Sequence, residues 1–389
     1  MSYDSPLLRD LQKILPKIAE GAEDSEKNRR PNPESMRLLT EIGFMRAFQP
    51  KAYGGMELNL PQFGNCVAAL AGADAGTAWA ASLLATHSHQ MALFCKEAQD
   101  EFWGEDPTAT ASSSIAPFGK IREVEGGVII DGEMKWSSGC DYAEWAILGF
   151  FRHDDEGNKT YCFGIVPRSE YDIVDDWFTM GIRGSGTKTL MLKEAFIPNH
   201  RIEAAPHMMT GQSSGYGMYP DSEIFHAPYR PYFASGFAAV SLGIAERMLE
   251  VYKDKAAKRV RAYTLANAGN AAPALMRVAE STHQIAAARA FLEKTWEEHA
   301  EHGRQHKLPD IRTLTFWRTN QAYAVQMCIE AVDRLFDFMG ASNWYEDQEA
   351  QRLFRDAHCT GAHAYTDYDI CKQILGRELM GLEPDPSMV

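Results

Sequence analysis

A strand-rich block enclosed between two helical stretches is the feature that most limits how this chain can fold. From about Thr108 the sequence runs through short β-branched and aromatic segments, "VEGGVIIDGEMKWSSG" and "EWAILGFFRHDDEGNKTYCFGIVPR", separated by GG, DG and EGN turns. The segment "LMLKEAFIP" closes the block near Pro198. No long helical pattern interrupts it, so a compact, mainly antiparallel sheet is expected. Upstream, "ESMRLLTEIGFMRAF" sets Met36, Leu39, Ile42 and Phe44 near helical spacing before "YGGMELNLP" breaks the pattern. The small apolar residues of "LPQFGNCVAALAGADAGTAWAASLLATHSHQMALF" suit tightly packed helices. Downstream of a polar loop at Gly211 to Asp221 the pattern is helical almost to the end. Its clearest case is Val325, Cys328, Ile329, Val332, Leu335, Phe336 and Met339, with Gly340 expected as the C-terminal cap. The expected fold is α+β and mainly α. It has an N-terminal helical domain (1–107), a central antiparallel β-domain (108–205) and a C-terminal helical bundle (206–389).

Charge narrows the function. The 389 residues carry 39 Lys+Arg against 53 Asp+Glu, a formal net charge of -14, and no basic stripe that would hold nucleic acid. Seven cysteines without a CxxC pair read as reduced thiols of a cytoplasmic protein. The start, "MSYDSPLLRDLQKILPKI", is amphipathic and charged throughout, unlike a signal peptide. The longest weakly polar run, Phe233 to Ala245, has 13 residues and reads as a buried helix rather than a membrane span.

Some tempting motifs fail on their chemistry. In "GIRGSGTKT" Thr187 separates Gly186 from Lys188, and a strand pattern follows, so it is no P-loop. No GxGxxG follows a strand, which leaves no nicotinamide-binding unit, and no Gly-x-Ser-x-Gly elbow is present. His299, His302 and His306 of "HAEHGRQH" read as a solvated helix face, and no metal site is expected.

The segment "QRLFRDAHCTGAHAY" places His358 and His363 five residues apart, a spacing that one straight helix cannot present on one face. It also carries a resemblance. In order and spacing, "GEMKWSSG", "MGIRGSGTKTLMLKEAFIPNHRI" and "LFRDAH" resemble the acyl-CoA dehydrogenase fold. That resemblance implies a helical domain, a central β-domain and a C-terminal four-helix bundle, with flavin between sheet and bundle. Acyl-CoA dehydrogenases of the common type have a catalytic Glu followed by Gly after the RDA segment; here His363 and Ala364 take that place. The altered pattern is similar to the flavin-dependent monooxygenases of the same fold, the oxygenase halves of two-component systems. "TAWAASLLATHSHQMALF", "ATASSSIAPFGK", "PYRPYFASGFAAVSLGIAERM", "RVRAYTLANAG" and "RDAHCTGAHAYTDYDICKQILGRELMG" support that likeness along most of the chain.

The resemblance implies a homotetramer that takes reduced FMN, with FADH2 as an alternative, from a separate NADH-dependent flavin reductase. Reaction with O2 would give a flavin C4a-hydroperoxide. The expected reaction is hydroxylation of 4-hydroxyphenylacetate ortho to its phenol, giving 3,4-dihydroxyphenylacetate. The alternatives are hydroxylation of another phenol or an indole, or an acyl-CoA dehydrogenase.

The resemblance also assigns residues. Ser138 lies at flavin N5, and His363 delivers a proton to the peroxide, for which an ordinary histidine pKa near 6.5 is suited. His358 is then structural. His87 takes the phenol proton while Ser113 shares the phenol oxygen; His89, Ser112 and Ser114 stand within two residues of these positions. Arg230 meets the substrate carboxylate, as a guanidinium fork does well. Tyr365 adds a hydroxyl, and Trp79, Phe233 and Ile115 form substrate-binding walls. Trp136, Ser138, Arg259, Arg261 and Tyr263 are the flavin-binding candidates.

Overall fold

A computed structural model describes residues 4–153, 156–260, 263 and 265–382. Five helices come first: α1 (Pro6–Asn28), α2 (Pro33–Glu41), α3 (Leu60–Ala73), α4 (Ala75–Met91) and α5 (Lys96–Trp103). Helix α4 is buried along its whole length, which its small residues allow. Asp74 starts it by accepting from the Thr77 N–H at 3.1 Å and the Thr77 hydroxyl at 2.7 Å. In the first turn of α4 a Cβ on Gly76 would lie 2.6 Å from the Gly184 Cα, so glycine lets the "GIRGSG" loop rest directly on this helix end.

The strands are β1 (Ala111–Ser114), β2 (Lys120–Val124), β3 (Gly127–Ser137), β4 (Trp145–His153), β5 (Lys159–Pro167), β6 (Tyr171–Val174), β7 (Lys188–Pro198) and β8 (Ile202–Ala204). Pro198 therefore ends β7 but not the strand-rich block. The block is two sheets rather than one, in the orders β1-β4-β5-β8 and β2-β3-β7-β6. The reason lies in β4, where "AILGF" is buried on both faces. Ala146, Leu148 and Phe150 join the core between the sheets, and Ile147 joins the core shared with the helices. A strand buried on both sides reads as a continuous apolar run, without the alternation that reports a single half-covered sheet. Pairing is antiparallel except between β1 and β4, which run parallel.

Helices α6 (Ala205–Thr210), α7 (Tyr229–Lys258), α8 (Ala272–Arg304), α9 (Ile311–Phe336), α10 (Glu349–Gly361) and α11 (Tyr368–Leu379) complete the chain. The middle of α7 is buried from Ala234 to Ala245 and meets α3 closely: a Cβ on Gly243 would lie 2.1 Å from the Ala68 carbonyl oxygen. Gly340 does not cap α9. That helix ends at Phe336, and Gly340, at φ +77°, begins the next 3₁₀ turn. His299 departs from its expected solvated face too. It is buried against Tyr232, their rings 4.8 Å apart and edge-on. No helix among the described residues is long and apolar enough to cross a membrane.

Candidate active site

Five segments bring their side chains together between the first sheet and α7. Helix α4 carries Trp79 and His87, eight residues apart and so on neighbouring faces. Strand β1 contributes Ser113, the residue just after β3 is Ser138, and the first turns of α7 present Arg230, Phe233 and Phe237. The turn after α10 adds His363 and Tyr365.

His87 is buried, and its ring lies 6.1 Å from that of Phe233. Its Nδ1 stands 2.6 Å from the Ala111 carbonyl oxygen. A carbonyl only accepts, so Nδ1 carries the proton, and Nε2 is an acceptor buried without a partner. Burial pushes the His87 pKa down to about 4 against the opposing Ala111 bond, so the ring is neutral at pH 7. His89 occupies different surroundings: its Nε2 faces the Ile224 carbonyl at 2.9 Å, and its ring stacks on Tyr232 at 3.9 Å.

The register of β1 separates its three serines. Ser113 pairs with Ile147, which belongs to the core shared with the helices, whereas Ser112 and Ser114 pair with Ala146 and Leu148 of the core between the sheets. Side chains alternate along a strand, so Ser113 faces the helices together with Ala111 and Ile115. Ser114 turns the other way and donates to the Lys135 carbonyl at 2.5 Å. The Ile115 carbonyl accepts from the Tyr161 hydroxyl.

His363 is held in an aromatic box. Its ring stacks on Phe237 at 4.0 Å, with Trp79 at 5.9 Å, Tyr365 at 6.0 Å and Phe233 at 6.1 Å. The Tyr365 N–H donates to Nδ1 at 3.2 Å, which leaves the proton of the neutral ring on Nε2. Burial, aided by the nearby Arg318 charge, pushes its pKa down to about 4. This revises the sequence expectation of titration near 6.5: at neutral pH the ring offers an N–H bond, not an imidazolium proton. His358 lies in the last turn of α10 and bonds Asp333 through Nε2 at 2.8 Å, away from the box.

Arg230 lies among the hydroxyls of Tyr365, Tyr229 and Tyr161. Burial works to lower its pKa, and those neighbours outweigh it and raise it. With Tyr365 it lines a cavity bounded also by Arg318, Trp317 and Gln321.

The flavin candidates divide. The Ser138 hydroxyl accepts from Trp79 Nε1 at 3.1 Å and lies 2.7 Å from the Thr187 hydroxyl. Trp136, two residues earlier and 58% exposed, packs edge-on against Phe118 at 5.4 Å. Arg259 lies elsewhere. It caps the far end of α7, where its guanidinium donates to the Phe338 carbonyl. Phe237, whose ring lies 4.7 Å from that of Trp79, the partner of Ser138, stands 22 residues earlier on the helix (259 minus 237), roughly 33 Å away at 1.5 Å per residue. No flavin lying at Ser138 reaches Arg259 of the same chain. Tyr263 is fully exposed in that same distant region, and Arg261 lies outside the described residues. Phe237, Thr187 and Ser185 were not singled out from the sequence. Phe237 had a usable signal, four residues after Phe233 on one helix face.

Known proteins resemble this chain along nearly its whole length. The families described as acyl-CoA dehydrogenase, N-terminal domain, and acyl-CoA dehydrogenase, C-terminal domain, match residues 11–107 and 235–368. The p-hydroxyphenylacetate 3-hydroxylase oxygenase component of Acinetobacter baumannii is 65% identical over 98% of this chain and 91% of its own length. The oxygenase subunit HsaA of a flavin-dependent monooxygenase of Mycobacterium tuberculosis (strain CDC 1551 / Oshkosh) is 32% identical over 98% of this chain and 97% of its own. The crystal structure of the 3-HSA hydroxylase from Rhodococcus sp. RHA1 superposes with a TM-score of 0.93, at 30% identity, over 100% of both chains. This chain belongs to the two-component flavin-dependent monooxygenases, as an oxygenase component built on the acyl-CoA dehydrogenase fold.

Proposed function

We propose that this oxygenase component converts 4-hydroxyphenylacetate to 3,4-dihydroxyphenylacetate, with reduced FMN and O2 as co-substrates. The observation that carries the substrate is His87: a buried, neutral ring whose Nε2 lone pair has no partner. A phenol O–H is the donor it lacks, and withdrawal of that proton makes the ortho carbon a better nucleophile. Ser113, on the β1 face turned to the helices, is placed to share the phenol oxygen. Arg230 and Tyr365 answer the carboxylate at the other end, where an acid tail would otherwise be costly to bury.

A flavin fits the residues beside this pocket. Ser138 offers a fixed hydroxyl, and the exposed ring of Trp136, two residues before it and braced edge-on by Phe118, offers an apolar face. When bound, reduced flavin would supply the two electrons that activate O2, one of whose atoms goes to the phenol ring. The chain's residues do the rest. Trp79, Phe233 and Phe237 exclude water around the reacting ring, and the His363 Nε2–H provides a hydrogen bond in that dry space. A thioester dehydrogenase would need a carboxylate where His363 stands, which disfavours that chemistry.

The same reading includes three domains at 1–107, 108–205 and 206–389, an NADH-dependent reductase as flavin supplier and a cytoplasmic setting. It also includes a homotetramer. The distance from Ser138 to Arg259 supports assembly, because Arg259 can serve a flavin phosphate only for a neighbouring copy. The deciding experiment is a product assay with externally reduced FMN or FAD, O2 and phenols bearing acidic, neutral and amine tails. A catechol formed fastest from the acid with FMN supports the proposal, and equal rates for all three tails would remove the substrate assignment.

A further inference from the structure

Ser138 is the first member of a chain of hydroxyls whose direction the structure fixes. Its oxygen lies 2.7 Å from the Thr187 hydroxyl, which lies 2.7 Å from the Ser185 hydroxyl, which donates to the Ile182 carbonyl at 2.8 Å. Each hydroxyl has one proton to give. The Ile182 carbonyl can only accept, so Ser185 spends its proton there and must accept from Thr187. Thr187 has then spent its own proton and must accept from Ser138. Ser138 is left without a proton to offer any other group.

One of the two Ser138 lone pairs is also taken. Trp79 Nε1, which can only donate, gives its hydrogen to Ser138 at 3.1 Å. The Ser138 oxygen thus has one acceptor position left, and it can receive an N–H but cannot donate to a bare nitrogen. The residue that accepts at the end of the chain is itself held in place. Ile182, at φ +50°, gives its N–H to the buried Asp356 carboxyl at 2.6 Å, and its carbonyl accepts in addition from Trp177 Nε1 at 3.0 Å. The Gly139 N–H donates to the Ser185 carbonyl at 3.0 Å, and Gly184 rests against the start of α4. Loop and strand are therefore tied to one another on both sides of the hydroxyls.

We propose that Thr187 and Ser185 are positioning residues that hold Ser138 as an obligate hydrogen-bond acceptor, and so make this site select reduced over oxidised flavin. The proposal rests on the reading that the flavin ring system lies with N5 at Ser138. Reduced flavin carries a hydrogen on N5, which Ser138 can accept. Oxidised flavin has a bare N5 that needs a donor, and it meets an acceptor instead. An oxygenase component that receives its flavin reduced and must discard it oxidised gains from such a sign reversal at one atom. The motif is the one that imitates a P-loop in the sequence; its Ser185 and Thr187 orient a hydroxyl rather than cradle a phosphate.

The test is equilibrium binding, independent of turnover. Reduced FMN is titrated anaerobically, and oxidised FMN in air, into the wild type and the variants Ser138→Ala, Thr187→Val, Thr187→Ser and Ser185→Ala. Thr187→Val frees the Ser138 proton to donate, so the preference for reduced flavin should narrow by about three- to tenfold, mainly through tighter oxidised flavin, the scale of one neutral hydrogen bond. Ser185→Ala never touches Ser138, yet Thr187 can then turn its proton to Ser138, and the preference should narrow likewise. Thr187→Ser should keep the wild-type ratio. Equal weakening of both redox forms in Thr187→Val and Ser185→Ala means a merely structural role and overturns the proposal. A changed ratio in Ser138→Ala with unchanged ratios in the other two also overturns it while leaving the flavin placement intact. An unchanged ratio in Ser138→Ala shows that the flavin does not lie at Ser138 and removes the proposal together with that placement.

Discussion

His87 gives its Nδ1 proton to the Ala111 carbonyl 2.6 Å away and keeps its second nitrogen, buried and unpartnered, as an acceptor. One backbone bond thereby decides which chemistry the ring can perform. With its pKa pushed down to about 4 by burial, the ring stays neutral throughout the ordinary pH range.

His87→Ala is expected to consume O2 at nearly the wild-type rate while releasing hydrogen peroxide in place of catechol. Loss of a positioned base costs about 10²–10⁴ in the step it serves, so product yield should fall below detection in a coupled assay that measures peroxide and catechol together. Normal hydroxylation by this variant would take His87 out of the mechanism.

The histidines of the C-terminal segment should separate by phenotype. The half-exposed His358–Asp333 pair contributes at most about 1 kcal/mol, so His358→Ala should lower Tm slightly and leave coupling of O2 use to product intact. His363→Ala removes an N–H from the aromatic box and should uncouple the reaction, with peroxide rising, while loss of the ring packed on Phe237 also lowers Tm. Thermal melts and peroxide yield on both variants decide the matter, and equal uncoupling in the two would merge their roles.

Acid should unfold the protein over a defined window. Burial pushes His87, His89 and His363 down to about 4 and His299 to about 3. Each folded pKa lies below the unfolded value of about 6.5, so the unfolded chain binds more protons below that pH. The stability is fully present above about 6.5 and is lost as pH falls toward 4. Buried Asp356, pushed up to about 7, binds its proton preferentially in the folded state and offsets roughly one of the four histidines. His299 has no hydrogen-bond partner on either nitrogen, so His299→Phe removes its titration without breaking a bond. Urea midpoints between pH 7 and 4 should fall less steeply in this variant, by about one proton's worth; parallel curves would contradict the account.

What the sequence made legible follows from which forces are local. The glycine turns and β-branched runs of residues 108–205 and the apolar spacing of α9 report local pattern, and the strands and helices stand where that pattern put them. The split into two sheets depends on which faces of "AILGF" meet other elements, and a continuous apolar run does not encode that. His299 misled because its sequence neighbours are polar, whereas its burial comes from Tyr232 on another helix. At the site, His87 and Ser113 were ambiguous with residues two or one position away, and only strand register and a backbone bond distinguish them. The hydroxyl chain through Thr187 was hidden because its members are 49 residues apart in the sequence.

Arg230 tests the substrate itself. Its guanidinium is set among tyrosine hydroxyls and shares with Tyr365 a cavity that Trp317, Arg318 and Gln321 also line and that His87 and Ser113 do not. A carboxylate moved there from water loses its hydration and needs a cation in exchange. A hydrogen bond to a charged group contributes roughly 1.5–3 kcal/mol, about tenfold to a hundredfold in affinity. Arg230→Ala should weaken 4-hydroxyphenylacetate by that factor and leave a phenol with a neutral tail nearly unaffected. Arg230→Asp should reverse the preference, favouring tyramine over the acid by attraction on one side and like-charge repulsion on the other. Binding and product yield for the acid, neutral and amine phenols across wild type and both variants give the answer. A uniform response of all three ligands would make Arg230 a structural residue and remove the physical support for an acid-tailed substrate.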